Sequence, residues 1–566
     1  MRFLRSALLP VTLLIAAAAP TPPIPTIPTT ATSVAVPTTA AVSAPNTIEP
    51  ALAAVLTRTR PDTLVAIIVQ HPTRVDTAAL AQSGLGPRAQ AHAAVLKALR
   101  AHYALTMEPL EARLRQLGGT RIIPLWASNS IAVTLPASVV NRLRLDPAVG
   151  VIKLDAVVRL QPLTFSQLAP SEWNMAAVKA PQVWNLGYTG QNTVVGVLDT
   201  GADPAHQDLA GRWRGGANSW YDPYGQHLTG PYDASGHGTS VTSLIVGGSA
   251  GGTDIGVAPG AQYIAARVFN DSGAGFISTI HQAMQWMLNP DANAATADYP
   301  DVVNASWNIA GAPGVCNTEF EPDIQAFLAS DIAVVFAAGN DGPYAGTSDS
   351  PGNNQGAMPI GAVDQSKTVG SFSSRGPSTC GGGLFPALAA PGVSIKVADL
   401  TYHGVFANNY ATITGTTPAT AHVTGAIAVL SGAFPSARAL DVEGAISASA
   451  LPLGSMGSNS NTGAGELDLL AAYNLLLKSF TPSPPAHLSS TSLVSVGYVA
   501  TTHAMTVTAT NGLGAKALMQ LTGYGAMAFS VRTNQWSITV KAAPEPAVIT
   551  VSAADGARSF STAPGL

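Results

Sequence analysis

Three short stretches of this 566-residue chain place an acid, an imidazole and a hydroxyl at structural turning points. Residues 194–198 form an apolar run ending in Asp199, Thr200 and Gly201. That is the pattern of a buried parallel strand delivering a carboxylate to the edge of a sheet. His237 stands between Gly236 and Gly238, which permit close backbone approach, and the apolar residues 241–246 predict a helix beginning just after the imidazole. Gly415-Thr416-Thr417 is a further glycine turn before an apolar helical run through Leu430, so the Thr417 hydroxyl falls at a helix N-terminus. These residue types suit acyl transfer. An alcohol is a poor nucleophile at neutral pH, so a neutral imidazole must take its proton during attack, while a buried carboxylate holds the ring's tautomer and stabilises the imidazolium. Taken singly, Asp199 also reads as a turn cap and His237 as a satisfied core histidine.

The chain order Asp199, His237, Thr417, with the motifs Val197-Leu198-Asp199-Thr200-Gly201, Gly236-His237-Gly238-Thr239 and Gly415-Thr416-Thr417-Pro418-Ala419, resembles the subtilisin-like (subtilase) serine proteases. The resemblance extends over residues 62–476. Residues 334–343 are similar to the family's strand and loop bearing an oxyanion-hole asparagine, which implies that role for Asn340; outside the resemblance Asn340 is a turn residue. Thr417 departs from the family's serine, Pro418 stands where methionine is common, and Ala421 where proline is common. The extra methyl of threonine stiffens χ1. Threonine nucleophiles elsewhere use their own N-terminal amine as base, and here that amine is locked in a peptide. The resemblance therefore implies a secreted endopeptidase with weakened acyl transfer. The alternative is an inactive pseudoprotease that keeps its groove as a peptide-binding module; Asp199, His237 and Asn340 favour the first reading, Thr417 and its neighbours the second.

The same resemblance implies that Ser306, Trp307 and Asn308 pair with an extended peptide on one side and Gly273, Ala274 and Gly275 on the other, a sequence-tolerant β-augmentation. Asn308 replaces a usual glycine. Ala337, Ala338 and Gly339 form the opposite wall of the specificity pocket, implying no charged determinant and a preference for apolar or aromatic side chains. The chemistry requires no cofactor. Asp208 matches a calcium-ligating position of some relatives, so a structural calcium is an expectation, although residues 247–254 lack the amide ligands and Asp208 also reads as a turn residue. Cys316 and Cys380, the only cysteines, either pair in an oxidising compartment or remain two thiols.

Several elements must position these groups. Arg2 and Arg5 precede the apolar residues 7–19, too short to span a bilayer, so residues 1–20 read as an export signal and the protein as secreted. Residues 21–60 read as a Pro/Thr/Ala-rich linker. Residues 61–160 show a strand at 63–70, a helix at 89–117, strands at 121–125 and 130–135, a helix at 136–145 and a strand at 149–157, a ferredoxin-like order. This segment resembles the inhibitory propeptides of subtilases, especially at Asn129-Ser130-Ile131-Ala132-Val133 and Asp146-Pro147-Ala148-Val149; an ordinary α+β interaction domain is the alternative. The propeptide reading places a cleavage junction between Arg159 and Glu172. Residues 161–478 alternate strand and helix signals, as in the subtilisin-like three-layer α/β sandwich with a mainly parallel sheet. Residues 486–566 carry short alternating strands and predict a small β-sandwich.

Composition agrees with export. Hydrophobic residues make up 46% and charged residues 11%, against roughly 25% charged in ordinary soluble proteins. The net charge of -4 and the absence of basic runs exclude nucleic acid as a partner class. Expected partners are protein or peptide substrates and the chain's own propeptide, with no membrane contact after signal removal, and a monomer is expected. So few surface charges also predict little loss of stability in an acidic medium.

Overall fold

The computed structural model describes residues 46–82, 87–161, 163, 165–166, 172–309, 313–454, 457–485, 491–499, 501–511, 519–521, 525–530, 532–533, 535–541, 549–552 and 558–561. The expected export signal and most of the expected linker lie outside the described residues.

The first part of the chain builds β1 (Thr47–Ile48), α1 (Pro50–Leu56), β2 (Leu64–Gln70), α2 (Thr77–Gln82), α3 (Arg88–Thr106), α4 (Glu108–Gln116), β3 (Thr120–Leu125), β4 (Ser130–Pro136), α5 (Ala137–Leu143), β5 (Val151–Leu154) and β6 (Val157–Arg159). Strands β1 to β5 form one sheet in the order β1-β5-β2-β4-β3, with β1 parallel to β5 and the remaining pairs antiparallel. The period-2 pattern of β2 divides its side chains between two cores. Val65, Ile67 and Val69 meet Tyr103, Leu110, Leu114 and Val140, whereas Ile68 joins Leu96 and Leu99 against the helices of the next unit.

Three features differ from the sequence reading. The linker expected over 21–60 ends early: Pro50 stands at the first helical position, where its missing N–H costs nothing, and Leu52 is fully buried. The single helix expected over 89–117 is two, broken at Met107, because Pro109 in the next turn has no N–H to continue the ladder. The strand expected over 149–157 divides at Asp155. Its carboxylate leaves the sheet to accept from Ser278 N–H (2.9 Å) and Ser278 Oγ (2.7 Å) at the start of a helix in the following unit.

That unit contains α6 (Trp173–Ala177), α7 (Ala180–Trp184), β7 (Val194–Asp199), β8 (Trp220–Tyr221), α8 (His237–Val246), β9 (Gln262–Arg267), β10 (Ala274–Phe276), α9 (Ile277–Leu288), β11 (Val302–Ala305), α10 (Glu321–Ala329), β12 (Ala333–Ala337), β13 (Met358–Val363), β14 (Leu388–Pro391), β15 (Ile395–Ala398), β16 (Tyr410–Ile413), α11 (Thr416–Ala433), α12 (Ala439–Ser449) and α13 (Leu469–Leu476). Its main sheet, in the order β14-β13-β12-β11-β7-β9-β8, is parallel throughout. Both faces are covered, as parallel sheets require. Val195, Val197 and Val335 pack against α8 and α11, while Leu198, Val334 and Phe336 pack against α9 and α10. The result is a three-layer α/β arrangement. Cys316 and Cys380 form a disulfide with Cα atoms 5.0 Å apart.

A buried ionic chain joins the two units: Lys153 on β5 meets Glu319 at 2.8 Å, Glu319 meets His281 Nε2 at 3.2 Å, and His281 Nδ1 meets Asp323 at 2.8 Å. Further on, β17 (Thr491–Val499), β18 (Ala504–Asn511), β19 (Gln520–Leu521), β20 (Gly525–Ala526), β21 (Ala528–Ser530), β22 (Gln535–Val540), β23 (Ile549–Ser552) and β24 (Arg558–Ser561) make two antiparallel sheets, β17-β18-β22-β21 and β20-β19-β23-β24, around Met505, Val507, Trp536 and Val551. Among the described residues no helix is long and apolar enough to cross a membrane.

Candidate active site

Asp199 is the last residue of β7 and is fully buried. Its Oδ1 accepts from the Thr200 N–H and from His237 Nδ1, each at 2.7 Å. With a carboxylate on that side, Nδ1 carries the ring proton and Nε2 is left for the cavity that His237 lines. Burial opposes charge on this ring, but the Asp199 carboxylate, reinforced by Asp233, outweighs it and holds the His237 pKa above its ordinary value.

A second acid fixes the meeting of β7 and α8. Asp233 accepts from the N–H groups of Ser235, Gly236 and Thr239 at 2.8–2.9 Å and from Thr239 Oγ1 at 2.7 Å, capping the helix that begins with His237. Thr200 Oγ1 donates to Asp233 (2.8 Å) and accepts from the Gly238 N–H (2.9 Å), so the two acids share one bridge. Position 238 must be glycine, because a Cβ there would fall 2.1 Å from the Gly201 carbonyl oxygen. The sequence reading gave Asp233 and Thr200 no role; an Asp four residues before a histidine that opens a helix was the available signal.

Thr417 is the second residue of α11 and is 4% exposed. Its hydroxyl is turned to the Ser306 carbonyl, a long contact of 3.5 Å, rather than to His237. Pro418 fits the first helical turn because the N–H it lacks would have had no intrahelical partner. Its carbonyl accepts from His422 Nδ1 at 2.7 Å, while Asn174 Nδ2 donates to His422 Nε2 at 2.9 Å, and burial pushes this histidine down to about 4. Asn340 follows β12. Its Oδ1 accepts from Thr416 N–H (2.9 Å) and Thr416 Oγ1 (3.0 Å), which leaves its amide nitrogen as a donor. His237, Thr417, Asn340 and Ser306 to Asn308 line one cavity of about 340 Å³. A hydroxyl, an imidazole oriented by a carboxylate, and an amide donor thus converge on one space.

The comparisons with known proteins agree with this geometry. The Subtilase family (Peptidase_S8) matches residues 190–465. An Alkaline protease of Alkalihalobacillus alcalophilus is 33% identical over 352 residues, covering 62% of this chain and 80% of that protein. The chain belongs to the subtilase family. Subtilisin E of Bacillus subtilis is 32% identical over 329 residues, 58% of this chain and 76% of its own length. Bacillopeptidase F of the same organism is 35% identical over 304 residues, 50% of this chain, and the match spans 20% of that longer protein. Membership classes this subtilase with the serine-type endopeptidases.

The groove of this subtilase is lined by its own chain. Strand β6 pairs antiparallel with β10, setting Arg159 opposite Ala274, Val158 opposite Gly275 and Val157 opposite Phe276, and the Leu160 N–H donates to the Gly273 carbonyl at 3.0 Å. Val158 is buried. Leu160, Gln161 and Leu163 line the same cavity as His237 and Thr417, and Ser166 then pairs with Thr412 beyond it through two bonds of 2.9 Å. The expected cleavage junction falls in this segment, and residues 162, 164 and 167–171 of it lie outside the described residues. On the other side of the groove Trp307 is fixed by its Nε1 donating to the Leu198 carbonyl at 3.0 Å.

A carboxyl lies behind the expected pocket wall. Directly behind Gly339, where a Cβ would fall 1.8 Å from Asp349 Oδ2, sits the buried Asp349 carboxyl. Ser374 Oγ donates to it at 3.2 Å and accepts from the Asp341 N–H at 3.0 Å. Burial and then the neighbouring Asp341 carboxyl push Asp349 up to about 8, which favours its neutral, protonated form. At Asp208, Oδ1 accepts from the Ala250 N–H and Oδ2 from the Tyr410 hydroxyl at 2.5 Å. Among the described residues no group of three or more His, Cys, Asp or Glu is placed to hold a metal ion.

Proposed function

We propose that this chain is a secreted subtilisin-like endopeptidase that uses the Thr417 hydroxyl as nucleophile and carries its own inhibitor in residues 46–161. The 2.7 Å bond between His237 and Asp199, beside the cavity shared by Thr417 and Asn340, is the observation that supports it most. Thr417 Oγ1 attacks the carbonyl carbon of an extended peptide and its proton passes to His237 Nε2. The oxyanion is held by Asn340 Nδ2 and the Thr417 N–H at the start of α11. The C–N bond breaks, the departing amine takes the proton from His237, and water then cleaves the ester by the same route in reverse. For the first step Thr417 must rotate about χ1 from Ser306 toward His237, the rotation its methyl hinders. Side chains alone supply this chemistry, on protein or peptide substrates, by a monomer.

The strap over residues 157–160 supports the inhibitor reading, because it pairs with β10 in the extended form a substrate takes. A pseudoprotease is the second reading, favoured by the Thr417 hydroxyl facing Ser306. Turnover of a fluorogenic peptide by wild type, Thr417→Ser and Thr417→Ala separates the two. The proposal expects measurable wild-type turnover, a gain in the serine variant and loss in the alanine variant, with a mature N-terminus between Arg159 and Glu172 absent from Thr417→Ala. Activity confined to the serine variant supports the pseudoprotease, and none in any variant removes the peptidase reading.

A further inference from the structure

The parallel pair β11 and β12 ends with Ala305 opposite Phe336. Beyond it the two chains run on as Ser306-Trp307-Asn308 and Ala338-Gly339-Asn340, and both runs reach the cavity that holds Thr417. The resemblance to subtilases implies that the side chain of the acyl-side residue enters the space between these runs. That space is spanned. Asn308 is 7% exposed, and its Nδ2 donates to the Ala337 carbonyl at 3.0 Å, tying one run to the other. The far wall cannot recede, because the Gly339 α-carbon already rests on the Asp349 carboxyl.

We propose that Asn308 is a bolt across the primary specificity pocket and that the enzyme selects substrates with a small side chain, glycine, alanine or serine, on the acyl side of the cleaved bond. The proposal rests on the peptidase reading of the site. A bulky side chain could enter only by displacing the Asn308 amide, which strips the Ala337 carbonyl of its donor inside a buried wall, and such an unpaired polar group is costly. The apolar or aromatic preference expected from the sequence is thereby replaced.

The test uses two peptide amides identical except for alanine or phenylalanine at the acyl-side residue, with full-length wild type and Asn308→Gly. Wild-type kcat/KM is expected to favour alanine by about tenfold or more, and removing the bolt should lower that ratio by about tenfold, the scale on which pocket volume discriminates. A wild-type preference for phenylalanine, or a ratio unchanged in Asn308→Gly, overturns the proposal. Fluorescently labelled versions of both peptides, titrated by anisotropy, read the pocket without turnover. Alanine-selective binding lost in Asn308→Gly supports the bolt even if no variant is active, which would sink catalysis alone. Equal binding of the two peptides by wild type, or a selectivity unchanged in Asn308→Gly, overturns it.

Discussion

Threonine differs from serine at position 417 by one methyl, and that methyl acts on the one torsion that aims the hydroxyl. The remaining groups do not depend on it: Asp199 orients His237 through Nδ1, and Asn340 is anchored by the first N–H of α11. The anchoring makes Asn340→Asp a sharp test. An aspartate keeps the acceptor for Thr416 and loses the amide donor, so turnover should fall about 100- to 1000-fold with KM little changed. Its melting temperature should hold, since a carboxylate at a helix N-terminus is favourable. A fall in melting temperature matching the fall in rate would make Asn340 structural. Asp199, His237 and Thr417 stood out in the sequence because each follows or opens an apolar run at a glycine turn, whereas Asn340 was singled out only by the resemblance. Asp349 was not. It reaches Gly339 from ten residues along the chain through a loop whose path no periodicity records, and the Asn308 amide finds Ala337 only once two strands lie side by side.

At the scale of elements, apolar runs were informative where a strand is buried on both faces, as in β2, β4 and β7. They were less so where a single residue overrode the pattern. Pro109 cuts one periodic stretch into α3 and α4, and Asp155 draws the chain out of β5 so that β6 can pair with β10. Composition misled at residues 47–56, where Pro and Ala read as linker yet Leu52 plugs a core. The disulfide gives this scale a prediction of its own. It closes a loop across 64 residues that contains α10, β12 and β13, so replacing Cys316 and Cys380 together by serine should cost about 4 kcal/mol of stability on the loop-entropy estimate. Urea denaturation under oxidising conditions reads it as a lower midpoint. Equal midpoints would show that packing of α10 and the parallel strands already holds that loop.

For the whole molecule, the small number of surface charges led to an expectation of indifference to pH, but the groups that matter are interior. On the alkaline side, burial disfavours charge on His281, yet Asp323 and Glu319 outweigh it and raise this histidine to about 9; His237 is raised by Asp199 in the same way. A raised histidine contributes stability that is fully present below its unfolded pKa of about 6.5 and is lost as pH climbs through the folded value. Asp349, pushed up to about 8, holds a proton that the unfolded chain releases near pH 4, so its contribution also falls as pH rises from about 4 to 8. On the acid side, burial lowers His92 and His422 to about 4, so the unfolded chain binds two protons between pH 6.5 and 4 that the folded chain refuses, and stability falls as pH drops through that window. Glu319, drawn down to about 2 by His281 and Lys153 against the effect of burial, adds a further loss below about pH 4.5. Glu443, pushed up to about 8 by burial, holds a second proton like that of Asp349, so between about pH 4.5 and 6.5 the two raised carboxyls offset the two lowered histidines, and above about 6.5 the losses are unopposed. Melting temperature measured by calorimetry from pH 4 to 9 should be nearly level from about pH 4.5 to 6.5 and decline above it, and His281→Gln should flatten that alkaline limb, whereas a melting temperature constant across the whole range would return the decision to the sparsely charged surface. Catalysis pulls the other way, because His237 must be neutral to accept a proton and its raised pKa moves that condition upward. Activity per folded molecule should therefore keep rising on the alkaline limb where stability is already falling.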